Sequence, residues 1–310
     1  MAAPSACAAE PIRTEYNLLK KMPRPILAGM MHGKLGEISP NRGSCKYLIA
    51  AVALGDAERA DDAWKSIEAA FDLQADDGGF KGGGEPGAAP FLVWEVRVEN
   101  MYFFLQELGH ALLVVQASPM EPRFHDRIQA IMPRLRKACD FIQKGSYTII
   151  PKVGHTVNRT IIAAKAFGLC GLILDDPKML ETSDKLIKFA LTRLDKDGVF
   201  IENGGRDSSY NCVSILFGTH LLLYIPHPDL DAAFKTAMAW ERTRILPTGE
   251  IMADNNTRTG VGKEANKSGV PKGINYGEVI QTFCYYGTLH HIPSDVRTAI
   301  KIDEYNRTRK

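Results

Sequence analysis

Residues 161–174 read IIAAKAFGLCGLIL, with Lys165 as the one charged side chain. Wound at 3.6 residues per turn, the segment is apolar on every side, and a helix of that kind is buried around most of its circumference. The same holds for YLIAAVAL (47–54), YFFLQELGHALLVV (102–115), CVSILFGTHLLLY (212–224) and VIQTFCYYGTL (279–289). Between them lie segments with a single apolar stripe. Trp64, Ile67 and Phe71 form one, and Ile128, Ile131, Leu135, Ala138 and Ile142 another. Ile187, Ala190, Leu191 and Leu194 continue the pattern, as do Leu230, Phe234, Ala237 and Trp240. This three–four spacing predicts helices with one wet face. No stretch alternates convincingly with period two, although YTIIPKV (147–153) reads as a short strand. Residues 13–32 read as a further helix interrupted by Pro23 and Pro25.

A buried helix followed by an amphipathic one, repeated from near 47, 102, 161, 212 and 279, predicts an all-α fold. The expected architecture is an α/α toroid of about five to seven helix pairs, with inner helices forming a barrel and outer helices clothing it. Turns from inner to outer helix are short, whereas those from outer to inner are long: 76–99, 144–159, 195–210 and 245–277. The alternation puts the long loops on one face, and long loops of this kind are usually functional. Three of them open with a helix stop. LQADDGGFKGGGEPG (73–87) uses an Asp-Gly turn, LDKDGVFIENGGRDSSY (194–210) repeats it, and LPTGEIMADNNTRTG (246–260) is a fainter version. A single domain over 13–310 is expected, after a flexible tail over 1–12. The small residues of MAAPSACAAEP resemble the end of a signal peptide and predict a secreted or periplasmic protein.

With 45% hydrophobic and 24% charged residues the chain is globular, and no run is read as long enough to span a bilayer. A net charge of +2 excludes a general nucleic-acid binder, while a local basic surface would suit an acidic ligand. The cysteines show no metal-binding spacing and mostly sit in apolar helical contexts, where a buried thiol is expected. Neither metal nor cofactor is implied.

Polar residues gather just before the buried segments. WEVRVEN (94–100) supplies Glu95, Arg97 and Asn100; VGHTVNRT (153–160) supplies His155, Asn158 and Arg159. NGGRDSSYN (203–211) supplies Arg206, Asp207 and Tyr210, and KGINYGE (272–278) supplies Asn275, Tyr276 and Glu278. The stretch 255–273 adds Arg258, Lys263, Lys267 and Lys272. At inner-helix N-termini, free N–H groups and the helix dipole favour an anion, so a cationic cup for an acidic ligand is expected. Plainer readings stand beside this one. Asn158 and Asp207 are favoured N-cap types, Tyr210 could be a rim aromatic, and His155 and the lysines could be solvated. His110 and His220, inside apolar helices, read as structural.

HTVNR and GGRDSSY, set on this helical organisation over roughly 40–290, resemble the catalytic groups of toroid polysaccharide lyases, notably polysaccharide lyase family 38. The resemblance implies β-elimination on a uronic-acid polymer of glucuronan or alginate type. Asn158 and Arg206 would neutralise the C6 carboxylate, and Tyr210 and His155 would serve as base and acid. Arg97, Asn100, Arg159, Tyr276, Arg258 and Lys263 would bind substrate. In several such lyases Asn and His are adjacent, whereas His155 and Asn158 are three apart. Other readings remain open. An unsaturated-uronide hydrolase would use Asp77 or Asp207, and a periplasmic uronate-binding protein would need no Tyr210. LQADDGGFKG also resembles the repeats of terpene cyclases and prenyltransferase β subunits.

Overall fold

The computed structural model describes residues 9–31, 42–80, 94–265 and 269–309. Among them, regular structure is helical and strand pairing is confined to isolated bridges in turns. The helices are α1 (Ala9–Lys21), α2 (Arg24–Met30), α3 (Arg42–Leu54), α4 (Ala57–Asp72), α5 (Trp94–Gln116), α6 (Glu121–Gly145) and α7 (Ile149–Val153). They continue as α8 (Val157–Leu174), α9 (Pro177–Leu191), α10 (Ser208–Leu222), α11 (Pro228–Arg242), α12 (Tyr276–Leu289) and α13 (Pro293–Thr308). Pro23 lies in the gap between α1 and α2, as its missing N–H dictates.

The chain divides into two compact units. The first is built mainly from Leu27–Lys152 and Ala163–Asp184 with most of α1, the second from Val153–Ile162 and Lys185–Lys310. In the first, α3 packs on α4 and α5, and α5 packs on α6. In the second, α10 packs on α11 and α12, and α12 packs on α13. Each unit therefore has a buried layer (α3 and α5, or α10 and α12) clothed by amphipathic helices. The stripes read from sequence are the buried faces of α4 and α6.

The structure departs from the sequence reading in several places. All five apolar helices begin three to eight residues earlier than their apolar runs, so Glu95, Arg97, Asn158 and Tyr276 stand in first turns, and Asn100 in a second turn, rather than in loops. An apolar run marks only where a helix is buried all round, and first turns reach the wet end of the layer. Residues 147–153 are not a strand. They form a 3-10 turn, Ser146–Thr148, and α7, so 144–159 is largely helical instead of a long loop. On α11 the stripe passes through Glu241, which is fully buried, and leaves Trp240 on the flank. By length and composition α8 could cross a membrane, contrary to the expectation from sequence, and 78% of it is buried within the protein. Cys45, Cys139, Cys170, Cys212 and Cys284 are free and buried, as expected; Cys7 lies outside the described residues.

His110 is structural in the sense expected. Its Nε2 meets Glu15 of α1 and its Nδ1 lies 3.4 Å from Lys165 Nζ. Glu107 lies 3.6 Å from the same amine, and all four groups are buried. Burial pushes the Lys165 amine down to about 8, against the pull of Glu107 and Glu15. In the second unit, His220 sits edge-on to Tyr285 at 4.4 Å.

The helix stops share one design. After α4, α9 and α11 the chain turns back with N–H to carbonyl bonds from Ala75 to Gly79, Asp195 to Val199, and Leu246 to Glu250, at 2.7, 2.9 and 2.9 Å. Isolated bridges then pair Gln74 with Phe80, Leu194 with Phe200, and Ile245 with Ile251. The second member of each pair is buried as a plug. The turns require glycine twice over. Gly78 and Gly249 have φ of 92° each, where side chains are strained. A Cβ there would stand 2.2 Å from the Lys137 carbonyl oxygen and 2.4 Å from that of Lys301. These carbonyls belong to α6 and α13, so the absent side chain is what lets each turn lie on the next amphipathic helix of its unit. The fainter third version is thus a full member of the series. The glycines of 82–87 lie outside the described residues.

Gly249→Ala should therefore cost about 2–4 kcal/mol, from backbone strain and overpacking together. Gly204→Ala, at φ 89° but with nothing within 4 Å, should cost only the strain, about 1–2 kcal/mol. Urea denaturation of the two variants checks this; equal losses would show that the carbonyl contact is not what selects glycine.

Candidate functional site

In the second unit three segments distant in sequence are stitched together: the approach to α8, the loop before α10, and the stretch 256–264. Asn203 N–H donates to the His155 carbonyl at 2.8 Å, and Thr257 N–H to that of Arg206 at 3.0 Å. Thr257 Oγ1 donates to the Glu202 carbonyl. The stitching aims two carboxylates at helix starts. Glu202 Oε1 accepts the Asn158 N–H at 2.6 Å, in the first turn of α8. Asp207 caps α10 through Tyr210 N–H at 3.0 Å. Its second oxygen accepts the N–H groups of Arg258 and Thr259 at 2.9 and 2.8 Å. The cap reading of Asp207 is correct, and its carboxylate is saturated. Asn158 is not its own cap; Glu202 supplies that bond.

Arg258 is the hub. It is 2% exposed. Its Nη1 donates to Glu202 Oε2 at 3.0 Å and to Asn158 Oδ1 at 3.1 Å, and its Nε to Glu264 Oε1 at 3.0 Å. The guanidinium lies 3.7 Å from the centre of the Tyr210 ring, a cation–π contact. Lys272 Nζ stands 6.0 Å from the same ring and pairs with Glu264. Burial pushes the Glu202 carboxyl up to about 7, against the lowering pull of Arg258 and the Asn158 N–H. Burial also acts to raise Glu264, but its bonds to Lys272 and Arg258 prevail and hold it below the usual carboxylate range.

No protein-family model, curated protein or solved structure matches this chain. The geometry alone therefore decides which residues belong together.

Of the residues singled out in the sequence, Asn158, Tyr210 and Arg258 share this cluster. His155 is exposed beside it on the stitched segment. Arg159 follows Asn158 on α8, half-buried, and Lys263 is exposed on the 260–265 stretch. Tyr276 is buried, stacked with Tyr305 at 6.1 Å and covered by Arg309 at 4.4 Å, an arrangement that holds α12 and α13 together. Arg97 and Asn100 belong to the first unit. Lys267 lies outside the described residues.

Arg206 is engaged elsewhere. It pairs with Asp195 and Asp197 and lies over the Trp240 ring at 5.7 Å. Arg97 does the same in the first unit, pairing with Asp77 at 2.8 Å and covering Phe141 at 4.8 Å. The parallel extends to register. Phe141 and Trp240 each follow by four the residue met by the turn glycine, Lys137 and Thr236. Both arginines thus clamp a turn to the next amphipathic helix. The cationic cup is correspondingly balanced: Arg206 faces two aspartates, Arg258 two glutamates, and Arg244 pairs with Asp254 at 3.0 Å.

Glu202 and Glu241 are buried carboxyl groups that escaped the sequence reading. Glu202 lies two residues after a plug, where the other turns carry Gly82 and Ala253, and this difference among aligned turns was the available signal. Glu241 was readable as the charged residue that falls on the α11 stripe. It accepts Asn211 Nδ2 at 2.6 Å, while its Oε2 and the Asn211 Oδ1 are both buried without a partner. Burial pushes its carboxyl up to about 8.

Two outcomes follow. Arg206→Ala should lower Tm by several degrees, through loss of the clamp, while changing any substrate Kd less than about threefold. Circular dichroism melting and ligand titration separate the two. For Glu241, the folded state keeps a proton that the unfolded chain releases near 4.5, so stability is greatest at low pH and falls as pH rises through about 8. Glu241→Gln should flatten that slope and raise Tm at pH 8 relative to the parent, with little change at pH 5.

Proposed function

We propose that the second unit carries a β-elimination site for a uronic-acid polymer of glucuronan or alginate type, on an α/α-toroid scaffold. The toroid rests on the helix alternation and on the layered packing within each unit. The observation that carries the chemical reading is Arg258, which lies over the Tyr210 ring while fixing the Asn158 amide through its oxygen. That bond turns the amide oxygen inward and leaves the N–H2 group as the donor for a ligand carboxylate. A guanidinium held on the ring is placed to stabilise charge that develops on the phenol oxygen during proton transfer.

In the reaction the substrate's C6 carboxylate is hydrogen-bonded by Asn158, which lowers the cost of charge building at C5. Tyr210 or His155 removes the C5 proton. The freed electron pair forms the C4–C5 double bond, the C4–O4 bond breaks, and the departing O4 takes a proton from Tyr210. One new chain end and one unsaturated uronate result. The cationic part first given to Arg206 passes to Arg258, because Arg206 pairs with Asp195 and Asp197 over Trp240, whereas Arg258 lies over the Tyr210 ring and bonds Asn158. The hydrolase alternative has less support. Both Asp207 oxygens are occupied, and Asp77 accepts the Gly79 N–H at 3.0 Å while pairing with Arg97. Export of the enzyme is part of the proposal and rests on the N-terminal composition.

Tyr210→Phe keeps the ring beneath Arg258, so Tm should hold. It removes the phenol oxygen, and turnover on an acidic polymer should fall by at least about 100-fold. Absorbance near about 235 nm follows the unsaturated product, with reducing ends counted in parallel. New reducing ends without absorbance would mean hydrolysis and would overturn the assignment.

A further inference from the structure

Three donors of the second unit converge on a single carboxylate, and the protein supplies that carboxylate itself. Arg258 Nε reaches Glu264 Oε1 at 3.0 Å, Asn203 Nδ2 reaches the same oxygen at 3.2 Å, and Lys272 Nζ holds Oε2. Two cations and an amide around one carboxylate make a recognition geometry for a carboxylic acid. Both cations also border the Tyr210 ring.

Glu264 differs from the other carboxylate on Arg258. Glu202 is fully buried, caps α8 and cannot leave without unmaking the site. The Glu264 side chain is 27% exposed. It sits on a loop in which Gly260, Gly262 and Gly269 all adopt positive φ, at 117°, 75° and 77°. The backbone around it is held independently of the side chain, by Glu264 N–H to the Arg258 carbonyl at 3.2 Å and Lys272 N–H to the Glu264 carbonyl at 2.8 Å. Removing the side chain would leave the loop tied, Arg258 still anchored by Glu202 and Asn158, and the donors open.

We propose that Glu264 is a resident carboxylate seated in the protein's own subsite for a carboxylate-bearing ligand, and that a sugar acid binds there by displacing it. The sugar-acid identity rests on the elimination reading; the seat rests on the converging donors. Exchange of one carboxylate for another leaves the charge of the cluster unchanged, so displacement is electrostatically inexpensive. Competition from a side chain that is always present lowers the apparent affinity by the fraction of time the seat is empty.

The test is binding, so it does not depend on turnover. Sodium D-glucuronate is titrated by ligand-observed NMR against the full chain, with D-glucose as the neutral control. Glu264→Ala should bind glucuronate at least about tenfold more tightly than the parent, as expected for a seat occupied most of the time. Adding Lys272→Ala should remove most of that gain, and glucose should gain nothing. A folded Glu264→Ala variant whose glucuronate affinity is unchanged, or which gains equally for glucose, overturns the proposal. Should that variant fail to fold by circular dichroism, Glu264→Gln keeps the shape and removes the charge. It should bind glucuronate at least about threefold more tightly, and an unchanged affinity there overturns the proposal as well. If binding fails while the parent still eliminates polymer, the elimination reading stands and only the seat falls. Binding as expected without any elimination of polymer upholds the seat and overturns the elimination reading.

Discussion

A guanidinium withdrawn almost entirely from water carries a desolvation cost of several kcal/mol, and it is tolerated only where charge and hydrogen bonds replace the lost hydration. Arg258 meets that condition through Glu202, Asn158, Glu264 and the face of Tyr210. Apart from Glu264, six residues on, these partners come from segments some fifty and a hundred residues away along the chain. The approach to α8, the loop before α10 and the 256–264 stretch must therefore arrive together, or the charge is stranded. Asp207 adds the backbone half of the constraint, since one carboxylate binds both the α10 start and the amides of Arg258 and Thr259.

The turns supply the frame on which this pairing is hung. Closing each one with the same backbone bonds, a buried plug and a glycine against the next amphipathic helix fixes where the chain emerges. In two of them an aspartate–arginine pair over an aromatic ring adds a clamp, Asp77–Arg97 in one unit and Asp195–Arg206 in the other. Only after Phe200 is the second residue a glutamate, and there the cluster forms. The turn design recurs, and the cluster is an addition to one copy of it.

Charge compensation also changes how the site is read. A count of arginines and lysines near the helix starts implies a basic cup, yet most of these cations already have carboxylate partners inside the protein. Under the proposed reading, selectivity for an acidic ligand would come from which pairs can open, rather than from net field. Glu202 and Glu241, pushed up by burial to about 7 and about 8, make the cluster and its neighbouring core responsive to pH in a range where ordinary carboxylates are silent.

Helix identity, the two kinds of helix and the Asp-Gly stops were determined by sequence alone, because hydrophobic periodicity and glycine chemistry are local properties. Sequence also singled out Asn158, Tyr210 and Arg258, each beside the start of a buried helix or in the longest loop, but together with Arg206, Arg97 and Tyr276, which the folded chain engages elsewhere. Local pattern misjudged the helix starts, where first turns of apolar helices are polar, and the 147–153 segment, whose β-branched residues lie in the 3-10 turn and α7. Tertiary structure alone decided which arginine is buried at the centre of the cluster. Arg206 and Arg258 look alike in sequence, and only the folded chain brings aspartates and Trp240 to the first and Tyr210 to the second. It also decided that Glu202 is buried, because burial of a charged side chain depends on a partner distant in sequence, and no local pattern records that partner.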